Sequence, residues 1–196
     1  MLITNQIEVP QPLEAVWDFF GDIPQVAACL PGTNLTDQVG DDRYEGDVTI
    51  KAGPVKLEFA GSAEITARDE ANRTITVDAA GADRKGRGQA SLALTAKLAS
   101  TALGTNVDIS LDLTISGAAA QYGRGLVADV TAVLLDEFAV NMGGRLDAIS
   151  KGIDPNSVAG AKPASGVSIA LRAARMALVR VVRRFFMPYQ PLPTGR

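Results

Sequence analysis

The 196-residue sequence contains no histidine and a single cysteine, and aromatic residues make up only 5% of it. Without histidine there is no Ser-His-Asp or Cys-His machinery, and almost every familiar zinc or iron site loses a ligand. One thiol, Cys29, closes no disulfide within the chain, which agrees with a reducing compartment. It reads as a buried small hydrophobe, with redox chemistry or ligand contact as the alternative. No run approaches the roughly 18 to 20 apolar residues of a membrane-spanning helix. The opening MLITNQIEVP has neither the basic nor the apolar region of a secretion signal. These absences predict a cytoplasmic protein without a spanning segment.

The longest stretch without acid is C-terminal. Residues 163–196 hold Arg172, Arg175, Arg180, Arg183, Arg184 and Arg196 and no Asp or Glu, so the formal charge of −3 divides into a body near −9 and a tail of +6. Nucleic-acid binding would place the basic surface on the folded body, so no nucleic-acid partner is expected. A separated cationic tail fits anionic lipid or an acidic protein.

What is present is periodicity. LITNQIEV reads as a strand, and Leu13, Val16, Trp17 and Phe20 fall at helical spacing behind Pro12. A second short helix is predicted from Ile23 to Ala28, ended by Leu30-Pro31-Gly32. From Thr33 to Gly117 the period is two. Tyr44, Gly46, Val48 and Ile50 share a face, as do Val55, Leu57, Phe59, Gly61, Ala63 and Ile65. Ile75, Val77 and Ala79 follow, then Leu92 to Leu98 and Val107 to Ile115, with Gly81–Gly88 as a polar loop. Such short connections make an antiparallel five-strand meander. The 3.6 period then returns through Leu126, Val130, Leu134, Phe138 and Met142, predicting a helix over 123–148.

This order predicts an α+β, helix-grip fold over residues 1–149: a curved antiparallel sheet around a long C-terminal helix. With so many Ala, Gly and Val residues on the concave side, an internal hydrophobic cavity is expected. Tyr44, Val48, Phe59, Leu92, Leu94, Ile109, Leu111, Val127, Val130 and Leu134 are its candidate lining, and Tyr44 alone among them could meet a ligand carbonyl or exchange a proton. No catalytic residue and no metal site is assigned. Asp41-Asp42, Asp69-Glu70 and Asp136-Glu137 read as solvated surface. Arg84, Lys85, Arg87 and Arg124, beside glycines that lack a phosphate-loop context, are either solvated or a docking surface.

Residues 150–165 read as a flexible linker. In 166–196, Leu171, Leu178, Val182 and Phe185 lie on one side of a helical wheel, and Arg172, Arg175, Arg180, Arg183 and Arg184 on the other. Arginine at this density forbids spanning, so the helix is expected to lie in a membrane interface, with partner docking or intramolecular packing as alternatives.

Several segments are more specific than the architecture. ITNQIEVPQPLEAVWDFFGDIPQVAACLPG from Ile3 to Gly32, Gly40-Asp41 with Tyr44-Glu45-Gly46, KAGPV from Lys51, FAGSAEI from Phe59 and AQYGRGLVADV from Ala120, in this order, resemble the CoxG family of carbon monoxide dehydrogenase proteins over about residues 1–149. The resemblance implies the helix-grip fold of START and Bet v1-like proteins. It also implies a non-catalytic accessory role beside a molybdenum-containing carbon monoxide dehydrogenase or related hydroxylase. That role is to hold a quinone, menaquinone or ubiquinone, or another lipid as cargo, with no covalently bound cofactor, or to dock the enzyme at the inner face of the membrane and so feed the respiratory chain. A cyclase-like or hydrolase-like enzyme, or a general lipid-transfer protein, is the alternative on the same fold.

Overall fold

The computed structural model describes residues 1–52 and 55–157. The candidate membrane residues Leu171, Arg172, Arg175, Leu178, Arg180, Val182, Arg183, Arg184 and Phe185 lie outside them.

Strand β1 (Leu2–Val9) runs to Pro10, where the ladder stops. Helix α1 (Leu13–Gly21) starts at Pro12, whose carbonyl accepts from Val16 N at 3.1 Å. Helix α2 (Ile23–Cys29) is capped by Asp22, whose carboxylate accepts from Gln25 N, and Pro24 sits in its first turn where the missing N–H is harmless. Then come β2 (Thr33–Gln38), β3 (Arg43–Ala52), β4 (Val55–Asp69), β5 (Thr74–Asp83), β6 (Gln89–Thr101) and β7 (Gly104–Ile115). A short 3-10 turn leads into α3 (Gly123–Ser150).

Among the described residues seven strands form one antiparallel sheet in the order β1-β7-β6-β5-β4-β3-β2. The meander therefore has six strands rather than the expected five. β2 escapes the period-two reading because its residues are mostly exposed and a register shift between Leu35 and Asp37 breaks the alternation. The loop expected at Gly81 is also shorter, because β5 continues to Asp83.

The sheet curls along a row of glycines. Gly46 pairs with Gly61, and Gly61 with Gly81, on the face shared by Tyr44 and Val48. A Cβ built on Gly61 would lie 2.0 Å from the carbonyl oxygen of Ala80 and 2.5 Å from the Cα of Gly81. Strand backbones approach there more closely than any side chain permits, so glycine is what lets the sheet bend.

The core is divided. Ile7, Val9, Phe19, Leu98, Phe138 and Met142 belong to a large cluster that joins β1, β6, β7 and α1 to the C-terminal half of α3. Phe20 and Phe138 meet there with ring centroids 6.2 Å apart. Val130 and Val133 form a separate, small cluster with Ile50 and Leu134 at the N-terminal half of α3. Arg73 fastens the β4–β5 turn to α1: it donates to both oxygens of Glu14 at 2.8 Å and lies 5.1 Å over the Trp17 ring. Among the described residues no helix is long and apolar enough to cross a membrane.

Candidate hydrophobic site

Between the two clusters the inner face of the sheet is apolar yet only half-buried. Val48 stands beside Phe59 in register, Ala79 beside Leu92, and Leu92 beside Leu113. All five, with Ile115 and with Val127 and Thr131 of α3, keep intermediate exposure. A helix filling the concave side would have buried them, so the N-terminal half of α3 stands off from β4–β7. The small side chains at Gly61, Ala63, Ala79 and Ala90 leave that space unfilled from the sheet side.

The expected lining separates into three groups. Val48, Phe59 and Leu92 share the inner face of the sheet by register, and they and Val127 of α3 are partly buried. Val130 and Leu134 belong to the small cluster beside Ile50. Leu94 and Ile109 pack with the large cluster instead of lining the space, because their stretch of sheet lies opposite the large cluster that Phe138 and Met142 anchor. Leu111 is buried on the same face. Tyr44 is buried as well, but its hydroxyl donates to the carbonyl of Asp41 at 3.4 Å, in its own turn. Leu113 and Ile115 carry the period-two pattern into the site and are absent from the sequence-derived lining. Ala79 continues the period of Ile75 and Val77, and its register beside Leu92 brings it to the site.

The polar groups near the rim are structural. Asp83 is buried at the end of β5 and accepts from the guanidinium of Arg87 at 2.8 Å on each oxygen, and from the backbone N–H groups of Glu58, Lys85 and Arg87. The Arg87 guanidinium, followed by those backbone donors, holds the Asp83 carboxyl far below the usual carboxylate range. Arg87 also donates to the Lys56 carbonyl, and Arg84 pairs with Asp47 at 2.6 Å. Arg84 and Arg87, considered for docking, are thus committed to the hairpin ends.

Such a carboxylate stabilises the fold above the ordinary carboxylate pKa of about 3.9, and the contribution fades as pH falls below that value toward the depressed folded pKa. Asp83→Asn is therefore expected to lower the melting temperature at pH 7 and to narrow its gap to the parent by about pH 2.5, measured by thermal melts across that range.

The buried thiol is not set up for proton transfer or nucleophilic attack. Burial pushes the Cys29 thiol up to about 11, against a smaller opposing effect of Arg145, so it is no thiolate at neutral pH. Arg145 is buried against Gln25, and Asn141 donates to the Cys29 carbonyl at 3.0 Å, a polar seam between α2 and α3. No three His, Cys, Asp or Glu side chains among the described residues gather as a metal site. Asp41, Asp42, Asp69, Glu70 and Asp136 are exposed.

The segment after α3 is partly fixed. Pro155–Ser157 forms a 3-10 turn, and the Gln25 amide donates to Asn156 at 3.1 Å.

A family profile described as the G subunit of carbon monoxide dehydrogenase (CoxG) matches residues 6–146. No curated protein matches the chain. Among solved structures, a conserved protein from Geobacillus kaustophilus superposes with a TM-score of 0.67 at 20% identity, covering 78% of this chain and 97% of that one. A protein from Thermus thermophilus gives 0.56 at 16% identity, covering 76% and 99%. The Zhui aromatase/cyclase from a Streptomyces species gives 0.56 at 12% identity, covering 76% and 95%. At these identities the likeness is one of fold, and it agrees with the helix-grip arrangement of sheet and helix.

Proposed function

Because the chain belongs to the CoxG family of carbon monoxide dehydrogenase proteins, we propose that it is a non-catalytic accessory protein that holds a hydrophobic molecule between its sheet and α3. The observation that carries this reading is the apolar patch of Val48, Phe59, Leu92, Leu113 and Val127, which stays only partly buried between sheet and helix. The cargo is a quinone, with its prenyl chain along the apolar face. The enzyme served is a molybdenum-containing carbon monoxide dehydrogenase or a related hydroxylase, which must pass electrons to the membrane. The basic tail brings the carrier to the inner membrane face by inserting its apolar stripe and pairing its arginines with lipid phosphates.

The aromatase/cyclase shares the fold, so catalysis is the competing class. It is disfavoured here because the buried carboxyl is clamped in its charged form and the buried thiol in its neutral one; a general acid or nucleophile needs the reverse.

Titration with ubiquinone and menaquinone tests the reading: one of them should saturate, and a strictly linear response would sink it. Leu92→Trp should abolish saturation by filling the space. The same variant reports on the space itself. An open site accepts the indole with little loss of stability, whereas a packed one loses roughly 1–3 kcal/mol.

A further inference from the structure

The outer face of the sheet carries a feature that the cargo site does not use. Two adjoining grooves, about 660 and 440 Å³, lie there. Their shared floor is a row in register across four strands, Ser62, Ala80, Ser91 and Thr114. Ala60 and Ala82 widen it on one side. On the other side stands an acidic row, Glu64 and Asp78 with Asp112 at its end, and Glu45 closes the β3 end. Among the described residues Arg43 is the only side-chain cation on these walls, 3.8 Å from Glu64. The N-terminal ammonium of Met1 pairs with Asp112 at 3.0 Å, which leaves Glu45 and Asp78 for the arginines of the tail. Alanine and serine are poor strand formers, and a solvent-facing sheet normally covers its backbone with longer side chains. From Glu64 to Glu58 the strand runs about 20 Å, room for a helix about 10–12 Å across.

We propose that this trough receives the chain's own basic segment, residues 166–187, with Leu171, Leu178, Val182 and Phe185 over the small floor and the arginines against the acidic walls. Large side chains meet small ones, and +5 from Arg172, Arg175, Arg180, Arg183 and Arg184 meets the carboxylates. The reach suffices. Ser157 lies beside α2, α2 packs against β2, and β2 is the edge of the sheet. Residues 158–165 extend up to about 27 Å, while a sheet is about 10 Å from whatever packs on it. The contact rests on the reading of 166–187 as a basic amphipathic helix, and it makes body and membrane compete for the same arginines. The tail is held until an anionic surface takes it.

Ser91→Cys in the full chain provides the test, because Cys29 is buried, its thiol is pushed up to about 11, and it stays silent toward a neutral maleimide. Ala102→Cys, exposed in the β6–β7 turn, is the reference. At low salt the cysteine at 91 should react about tenfold more slowly than the reference. Changing Arg172, Arg175, Arg180, Arg183 and Arg184 to Gln, or adding phosphatidylglycerol vesicles, should bring the two rates together. Equal rates at low salt that ignore the Gln changes overturn the proposal. Protection that disappears on dilution also overturns it and assigns the trough to a second copy. Sedimentation of the same samples with the vesicles tests the anchor separately: protection without sedimentation keeps the contact and removes the anchor.

Discussion

Gly61→Ala is expected to cost more than about 3 kcal/mol and to leave little folded protein at ambient temperature. The added Cβ would sit 2.0 Å from the Ala80 carbonyl oxygen, and backbone on the neighbouring strand cannot swing aside as a side chain can. Relief requires β4 and β5 to separate where the sheet bends round α3, so the damage spreads to the inner face that forms the site. Gly143→Ala provides the control. Its Cβ meets nothing within 4 Å, and the position is helical, so alanine should stabilise by up to about 1 kcal/mol. Chemical denaturation of both variants checks the pair, and similar effects from the two would remove the bend as the reason for the glycine row.

The second large effect is expected at the membrane. Converting Arg172, Arg175, Arg180, Arg183 and Arg184 to Gln removes attraction of about 1 kcal/mol each near an anionic surface, a several-thousand-fold loss of vesicle affinity at low salt. The loss shrinks as salt rises, since screening has already weakened the parent. Leu178→Asp and Phe185→Asp attack the apolar stripe and should weaken binding at every salt concentration. Vesicle sedimentation from low to high salt separates the two patterns. Affinity that ignores the arginines would leave partner docking as the role of the tail.

Most of the architecture is legible in the sequence because long elements repeat their period many times. Leu126 to Met142 mark α3, and Val107 to Ile115 mark β7, without any tertiary information. β2 is not legible, since an exposed edge strand with a bulge has no apolar face to advertise. The site is legible only by half. Alternation tells which face Phe59, Leu92 and Ile109 occupy, but not where along the sheet the helix presses close and where it stands away. That depends on the glycine bend and on α1 and α2 filling one end, so Ile109 becomes core and Phe59 becomes lining. The charge of Arg84 and Arg87 is visible in sequence. Asp83 lies four residues before Arg87 in the same turn, whereas Asp47 is brought to Arg84 only by strand register.

Whether the space between the sheet and α3 holds a hydrophobic molecule is measured directly by organic extraction of the intact protein, purified without detergent, followed by mass spectrometry. The expected result is a quinone or other prenyl or acyl lipid near one equivalent per chain in the parent, and its loss in Leu92→Trp while the variant remains folded. A parent that carries no such molecule, and that stays empty after incubation with ubiquinone or menaquinone, would contradict it.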